Sequence, residues 1–189
     1  MRRAAGWLAA GGLVIVASVA VATAPQSGTI ADPFVRTGEV GDVVHARKFD
    51  VEVVGVRLAE ELDLDYDDTT LATDGLWIVV DVIVTSNLDA VQLVYSEVRI
   101  AGVGYRTTAL PYPSVDFTTF GAGIPVRGSL VFEVPKDAVS GVGADTARVR
   151  FQTGISVQLD DVPEVFVDLA SLDVERSAII DEAFVLGVP

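Results

Sequence analysis

The sequence predicts an all-β protein whose strands form an antiparallel sandwich or barrel, preceded by an N-terminal transmembrane or signal helix. Two observations predict the strands. Apolar and polar residues alternate with a period of two in several short segments, and turn signals recur at intervals of roughly 8 to 12 residues. Helical periodicity is weak before Ser171. The helix is predicted by an apolar segment, residues 4–24, that contains no charged residue.

This first segment has the length and the flank of a membrane-targeting sequence. A bilayer-spanning helix needs roughly 20 apolar residues, and residues 4–24 meet that requirement. Arg2 and Arg3 precede the segment directly, and because positive charges favour the cytoplasmic side, the remainder should lie outside the cytoplasm. We expect residues 1–24 to be a retained signal anchor of a single-pass membrane protein. The alternative is a signal peptide with a cleavage site at Ala20-Val21-Ala22, which would make the protein secreted.

Three further regions follow the signal segment. Residues 25–37 mix Pro, Gly, Ser and Thr, and we expect a linker there. Residues 38–170 carry the alternating pattern and form the predicted β-domain, which is long enough to bury well over half of its surface. Residues 171–189 form a C-terminal tail, whose pattern is ambiguous between a short helix and a loosely packed strand.

The clearest strand runs from Leu76 to Ser86. Trp77 and Val79 make its second face almost as apolar as the face that carries Leu76 and Ile78. Such a strand is central in its sheet and covered on both sides. The remaining predicted strands are residues 49–53, 91–93, 97–100, 105–109, 126–134, 148–151, 155–159 and 165–169.

Composition excludes several classes of function. The 189 residues contain 13 Lys and Arg against 27 Asp and Glu, for a net charge of −14, although half of the residues are hydrophobic. The apolar content excludes a disordered acidic tail, and the negative charge argues against nucleic acid as a partner. The absence of cysteine excludes disulfides, thiolate metal sites and cysteine nucleophiles. With a single histidine, His45, and no G-x-S-x-G motif, we expect no enzymatic activity and no cofactor.

An acidic segment, residues 60–68, is the sharpest local feature. Asp63, Asp65 and Asp67 have the alternate spacing of the first ligands of a calcium loop, and Asp74 stands where a closing carboxylate would lie. Asp68, however, occupies the position that such a loop reserves for glycine. A solvated connection between two strands is the favoured interpretation, since like charges repel and stay in water. A calcium site is the alternative.

A long connection, residues 105–120, gathers aromatic side chains around Pro111 and Pro113. Long loops on a rigid scaffold are where binding surfaces tend to lie, and aromatic residues are enriched at interface cores. The sequence therefore indicates a partner or ligand surface in this connection. The other interpretation is that the rings cap one end of the core. The aromatic residues concerned are Tyr105, Tyr112, Phe117 and Phe120.

Several motifs together resemble a known family. They are Gly75-Leu76-Trp77-Ile78-Val79-Val80-Asp81-Val82, Thr85-Ser86-Asn87, Val98-Arg99-Ile100, Gly104-Tyr105 and Gly128-Ser129-Leu130-Val131-Phe132-Glu133-Val134-Pro135. Over residues 38–151 the chain resembles the immunoglobulin-like extracellular domain family of unknown function, found in actinobacterial and Firmicute secreted or membrane-anchored proteins. The resemblance implies an antiparallel immunoglobulin-like β-sandwich and an extracytoplasmic location. It brings no catalytic residues.

These observations favour a non-catalytic binding or accessory module at the cell envelope. The N-terminal helix would tether it to the membrane, and an envelope protein would be its partner. The alternative is a protein that binds calcium or another small ligand through residues 60–68 or residues 105–120.

Overall fold

The computed structural model describes residues 32–64, 69–88, 90–108, 114–154, 158–180 and 182–187, together with Ser18. Nearly all of the regular structure in the unit Pro33–Pro189 is β-strand. Short 3₁₀ turns lie at Val115–Phe117, Ala144–Thr146 and Leu169–Ser171. The described strands are β1 Phe34–Glu39, β2 Val43–His45, β3 Phe49–Leu64, β4 Thr69–Ser86, β5 Val91–Gln92, β6 Glu97–Ile100, β7 Val103–Arg106, β8 Thr119–Phe120, β9 Pro125–Val134, β10 Ala147–Arg150, β11 Asp161–Val167, β12 Val174–Ile180 and β13 Phe184–Val185.

The predicted membrane or signal helix, residues 1–24, lies outside the described residues except for Ser18. Among the residues that the structure does describe, no helix is both long enough and apolar enough to cross a bilayer.

The strands form two main sheets. Sheet A has the order β1-β11-β10-β6-β7, and sheet B has the order β12-β3-β4-β9-β13 with β2 paired to β3. A two-stranded ribbon joins β5 to β8. The predicted β-sandwich is therefore present, with β4 at the centre of sheet B.

Two strand pairs correct the prediction of a wholly antiparallel sandwich. Strand β1 runs parallel to β11, and β12 runs parallel to β3. Each pair joins segments more than 100 residues apart, so no hairpin fixes their relative direction. Apolar residues alternate in the same way in parallel and antiparallel strands, so the sequence did not reveal the direction of these two pairs.

The ends of the domain also differ from the prediction. Strand β1 begins at Phe34, inside the expected linker of residues 25–37. The expected tail, residues 171–189, contains β12 and β13 as further strands of sheet B. The sequence did not indicate β1, and it left the tail open between a short helix and a loosely packed strand. The physical reason is the same in both places: β1, β12 and β13 are edge strands with exposed side chains, so the buried alternation that marks an inner strand is weak.

The main core lies between the two sheets. From sheet B it receives one face of β4, namely Leu76, Ile78, Val80, Val82 and Val84. Sheet A contributes Val98, Ile100, Ala147, Val149, Val165 and Val167.

A second buried cluster covers the outer face of sheet B. The register between β3 and β4 shifts beyond Ala59, which pairs with Trp77, so that Glu61 pairs with Ala72. On the far side of this irregularity the hairpin contributes Leu62 and Leu64 to a cluster with Trp77, Val79, Val131, Ala178 and Ile180. Residues 76–80 of β4 are thus buried on both faces, which confirms for them the prediction drawn from the sequence.

Candidate functional site

The outer face of sheet A carries a concentration of arginines. On β10, Ala147 and Val149 enter the core, so Arg148 and Arg150 face outward. On β6, Val98 and Ile100 enter the core, so Glu97 and Arg99 face outward. Strand pairing aligns these side chains with those of β11 and β7 in two rows. We call the outward residues of these two rows the arginine face.

The first row alternates in charge. Glu164 pairs with Arg150, Arg150 with Glu97, and Glu97 with Arg106. Glu164 is only 2% exposed and accepts hydrogen bonds from Nε of Arg150 at 2.8 Å, from Nη2 of Arg150, and from Nη1 of Arg148 at 3.3 Å. Nη1 of Arg150 also lies 3.8 Å from Oε1 of Glu97. Glu164 and Glu97 together hold the Arg150 guanidinium in one position.

The second row has no carboxylate of its own, and its two arginines pair with glutamates of the first row. Arg148 Nη1 lies 3.3 Å from Oε2 of Glu164, and Nε of Arg99 lies 3.8 Å from Oε1 of Glu97. Arg148 and Arg99 stand directly opposite each other on neighbouring strands, between Phe166 and Gly104. Side chains in such pairs have Cβ atoms about 5 Å apart, and like charges there are destabilising. The Arg148 guanidinium lies 4.7 Å from the Phe166 ring centroid, which orients it by a cation–π contact. Gly104 has no side chain, and the Glu97 carboxylate lies over it: a Cβ atom at Gly104 would be 2.7 Å from Oε2 of Glu97.

A groove of about 470 Å³ opens at this position. Its walls include Arg99, Arg148, Arg150, Glu164 and Val35. A guanidinium presents N–H groups in a planar fork that matches the two oxygens of a carboxylate or the oxygens of a phosphate. The groove therefore has the chemistry to bind an oxyanion between the two opposed arginines.

The aromatic residues predicted as a partner or ligand surface have mixed positions. Phe120 is fully buried in the main core, so that expectation is wrong for its side chain. Tyr105 is partly buried against the same core. Phe117 belongs to the turn Val115–Phe117, and Tyr112 lies outside the described residues. The burial of Phe120 and the partial burial of Tyr105 agree with the interpretation of rings packed on the core.

Residues 60–64 of the acidic segment lie at the end of β3, and residues 65–68 lie outside the described residues. Asp63 accepts hydrogen bonds from Thr70 Oγ1 at 2.8 Å and from Ser177 Oγ at 2.6 Å, one at each carboxylate oxygen. The Ser177 bond, followed by the Thr70 bond, lowers the pKa of Asp63 below its usual value. Asp74 is exposed where the register shifts, and Asp65 and Asp67 lie outside the described residues. In the described part of the chain, acidic and histidine side chains form no group of three suited to a metal ion.

Sequence reasoning missed the arginine face. Arg99, Arg148 and Arg150 are single residues on short strands, and each alternates with an apolar neighbour as on any half-buried strand. The alternation shows that they face outward. Only the register shows that two of them meet, because β6 and β10 are separated by several other elements.

Comparison with known proteins supports the fold alone. No protein-family model and no curated protein matches the chain. Three solved structures are similar to it. An uncharacterized β-sandwich protein from Clostridium difficile is 8% identical with a TM-score of 0.50, over 74% of this chain and 98% of its own. MPT63, a secreted protein from Mycobacterium tuberculosis, is 16% identical with a TM-score of 0.49, over 70% of this chain and 99% of its own.

The third, the yjhA protein from Bacillus subtilis, is 12% identical with a TM-score of 0.47, over 67% of this chain and 98% of its own. At such low sequence identity, structural similarity indicates a shared architecture and does not indicate a shared activity. The Clostridium difficile structure supports the β-sandwich that the sequence resemblance implies. The chain is therefore a β-sandwich whose particular family these likenesses leave undefined.

Proposed function

We propose that this protein is a non-catalytic binding module at the cell envelope that recognises an oxyanionic group of its partner through the arginine face. The observation that carries the proposal is the direct opposition of Arg148 and Arg99. Like charges directly opposite each other are destabilising, and the carboxylates that pair with these arginines, Glu164 and Glu97, belong to the neighbouring row. A guanidinium has five N–H donors, so each arginine keeps donors for an anion between the two. A fold that keeps such a pair, and fixes one member against Phe166, is prepared for an anionic ligand.

The charge of the whole protein also favours an anionic ligand at the arginine face. Apart from Arg2 and Arg3, eleven Lys and Arg residues stand against 27 Asp and Glu. Four of those eleven, Arg99, Arg106, Arg148 and Arg150, lie on the arginine face with two glutamates in the same rows. A local positive region on an acidic surface steers an anionic ligand toward one place and repels it elsewhere.

The proposed location rests on the N-terminal segment. The apolar run after Arg2 and Arg3 would tether the domain to the membrane with the sandwich outside the cytoplasm, and cleavage would instead secrete it. The absence of a catalytic role is part of the proposal. The single histidine of the chain, His45, lies on β2 and pairs with Asp50 at 3.0 Å, and it does not line the groove.

Titration by nuclear magnetic resonance tests the proposal. The two probes are inorganic pyrophosphate and a tri-glutamate peptide, which carry the same oxyanion chemistry on different groups. We expect shifts at the Arg99, Arg148 and Arg150 side-chain Nε–H signals with at least one probe. These shifts should weaken as salt is raised, because exposed charges are screened. Shifts confined to other parts of the surface, or none with either probe, would refute the assignment.

A further inference from the structure

A second cavity lies beside the arginine face, at the end of the sandwich where the connection between β5 and β6 meets the 3₁₀ turn Val115–Phe117. Its volume is about 270 Å³. The backbone amides of Val94 and Tyr95 both donate to the carbonyl of Gln152, at 3.0 and 3.2 Å, and so fix one wall. The residues that line it are Gln92, Val94, Tyr95, Ser96, Arg106, Thr107 and Asp116.

Two buried polar groups of this wall have no hydrogen-bond partner within the described part of the chain. They are Oγ of Ser96, a residue 1% exposed, and Oδ1 of Asp116, a residue 9% exposed. A buried polar group without a hydrogen-bond partner is destabilising, and more so when it is charged. The backbones of both residues are held by hydrogen bonds. The Ser96 carbonyl accepts from the Thr107 amide at 3.2 Å, and the Asp116 carbonyl accepts from Gln92 Nε2 at 3.1 Å.

The opposite charge is present in the same cavity. The Arg106 guanidinium lies 4.3 Å from the ring centroid of Tyr95, a cation–π contact that holds it at the rim. Among the described residues, no carboxylate oxygen lies within 4.0 Å of it. Within the described residues, the cavity is therefore lined by a cation that has no ion-pair partner and a carboxylate that has one unsatisfied oxygen, and these two groups do not pair with each other.

We propose that this cavity binds a small zwitterion of the size of a free amino acid. The ammonium group of the ligand would donate to the Asp116 carboxylate, and its carboxylate would pair with Arg106. Ser96 Oγ would take part in the same hydrogen-bond network. A ligand with one charge alone would satisfy only one of the two protein groups, so it should bind more weakly than the zwitterion.

The test is isothermal titration with L-alanine, and with ethylammonium and propionate, which each carry one of its two charges. We expect L-alanine to bind at least about tenfold more tightly than either single-charge probe, a difference of about 1.4 kcal/mol. Arg106→Gln, at an exposed position, should weaken L-alanine binding by about tenfold or more without loss of fold. Asp116→Asn should do the same, with its amide spectrum as the check on folding.

The control variant is Arg99→Gln combined with Arg148→Gln, which alters the arginine face and leaves this cavity intact. It should leave L-alanine binding unchanged, so the proposal for this cavity and the proposal for the arginine face are tested separately. Equal binding of L-alanine and propionate would contradict the proposal, as would wild-type affinity in Arg106→Gln. No heat or amide shift at Ser96 and Thr107 with about 10 mM L-alanine would also overturn it.

Discussion

The buried carboxylate of Glu164 accepts a hydrogen bond from Nε of Arg150 at 2.8 Å and thereby fixes one guanidinium of the arginine face. Glu164→Gln removes the charge and leaves Arg150 and Arg148 without their common partner. We expect the free energy of unfolding at neutral pH to fall by about 2–3 kcal/mol, measured by chemical denaturation. Glu175→Gln, on the exposed edge strand β12, is the control and should change it by less than about 0.5 kcal/mol. Equal effects of the two substitutions would refute the structural role of Glu164.

Two neighbouring residues test the second buried cluster. Ile180 is 5% exposed and packs with that cluster, whereas Ile179 is 56% exposed on the same strand. We expect Ile180→Ala to lower the free energy of unfolding by about 2–4 kcal/mol, because it leaves a cavity. Ile179→Ala should lower it by less than about 0.5 kcal/mol. If Ile180→Ala unfolds at the same denaturant concentration as the wild type, the Ile180 side chain does not pack in the second buried cluster as described.

Gly128 permits a close approach between sheet B and two other segments. A Cβ atom at this position would lie 2.4 Å from Cγ2 of Val115 and 3.0 Å from Cβ of Ala183. We expect Gly128→Ala to destabilise the domain by about 1–3 kcal/mol, as overpacking does. Gly55→Ala is the control, because the added atom would meet only Asp81 Oδ2 at 3.8 Å, and it should be neutral or stabilising by up to about 1 kcal/mol. The measurement is the melting temperature of each variant in a thermal melt, and the same melting temperature for both would contradict this packing.

Asp160 couples stability to pH. Its carboxylate accepts from Arg47 Nη2 at 2.9 Å and from Lys48 Nζ, while its carbonyl accepts from the Phe34 amide at 2.8 Å at the start of β1. Burial alone would raise the pKa of Asp160, but the Lys48 hydrogen bond and charge, the Asp161 amide and the Arg47 charge outweigh it and lower the pKa below 3.8.

A folded-state pKa below the unfolded value gives stability that is present above the unfolded pKa and lost as the pH falls through the folded one. Asp160→Asn should therefore destabilise the domain at neutral pH by about 2 kcal/mol, the range of hydrogen bonds to charged groups. The difference from the wild type should shrink below the ordinary pKa of 3.8 as the native carboxylate is protonated. Denaturant titrations at neutral and acidic pH check this, and a difference independent of pH would show that the charge has no part in it.

Particular residues show what the sequence could and could not predict. The two apolar faces of residues 76–84 placed β4 at the centre of a sheet, because burial on both sides leaves a local pattern. The opposition of Arg148 and Arg99 left no such pattern, since it depends on how β6 and β10 align after folding. Asp116 and Ser96 were equally hidden, because their lack of partners is a property of the folded cavity.

The most direct test of the arginine face is the dissociation constant for inorganic pyrophosphate at one fixed salt concentration. The wild type would be compared with Arg99→Gln/Arg148→Gln and with Arg127→Gln/Arg176→Gln, which removes two exposed arginines from sheet B. Both double variants change the net charge equally. We predict that the first weakens binding at least about tenfold, which is about 1.4 kcal/mol, and that the second leaves it within about twofold. Equal weakening by the two variants would mean that net charge alone attracts the anion, and would contradict a binding site on the arginine face.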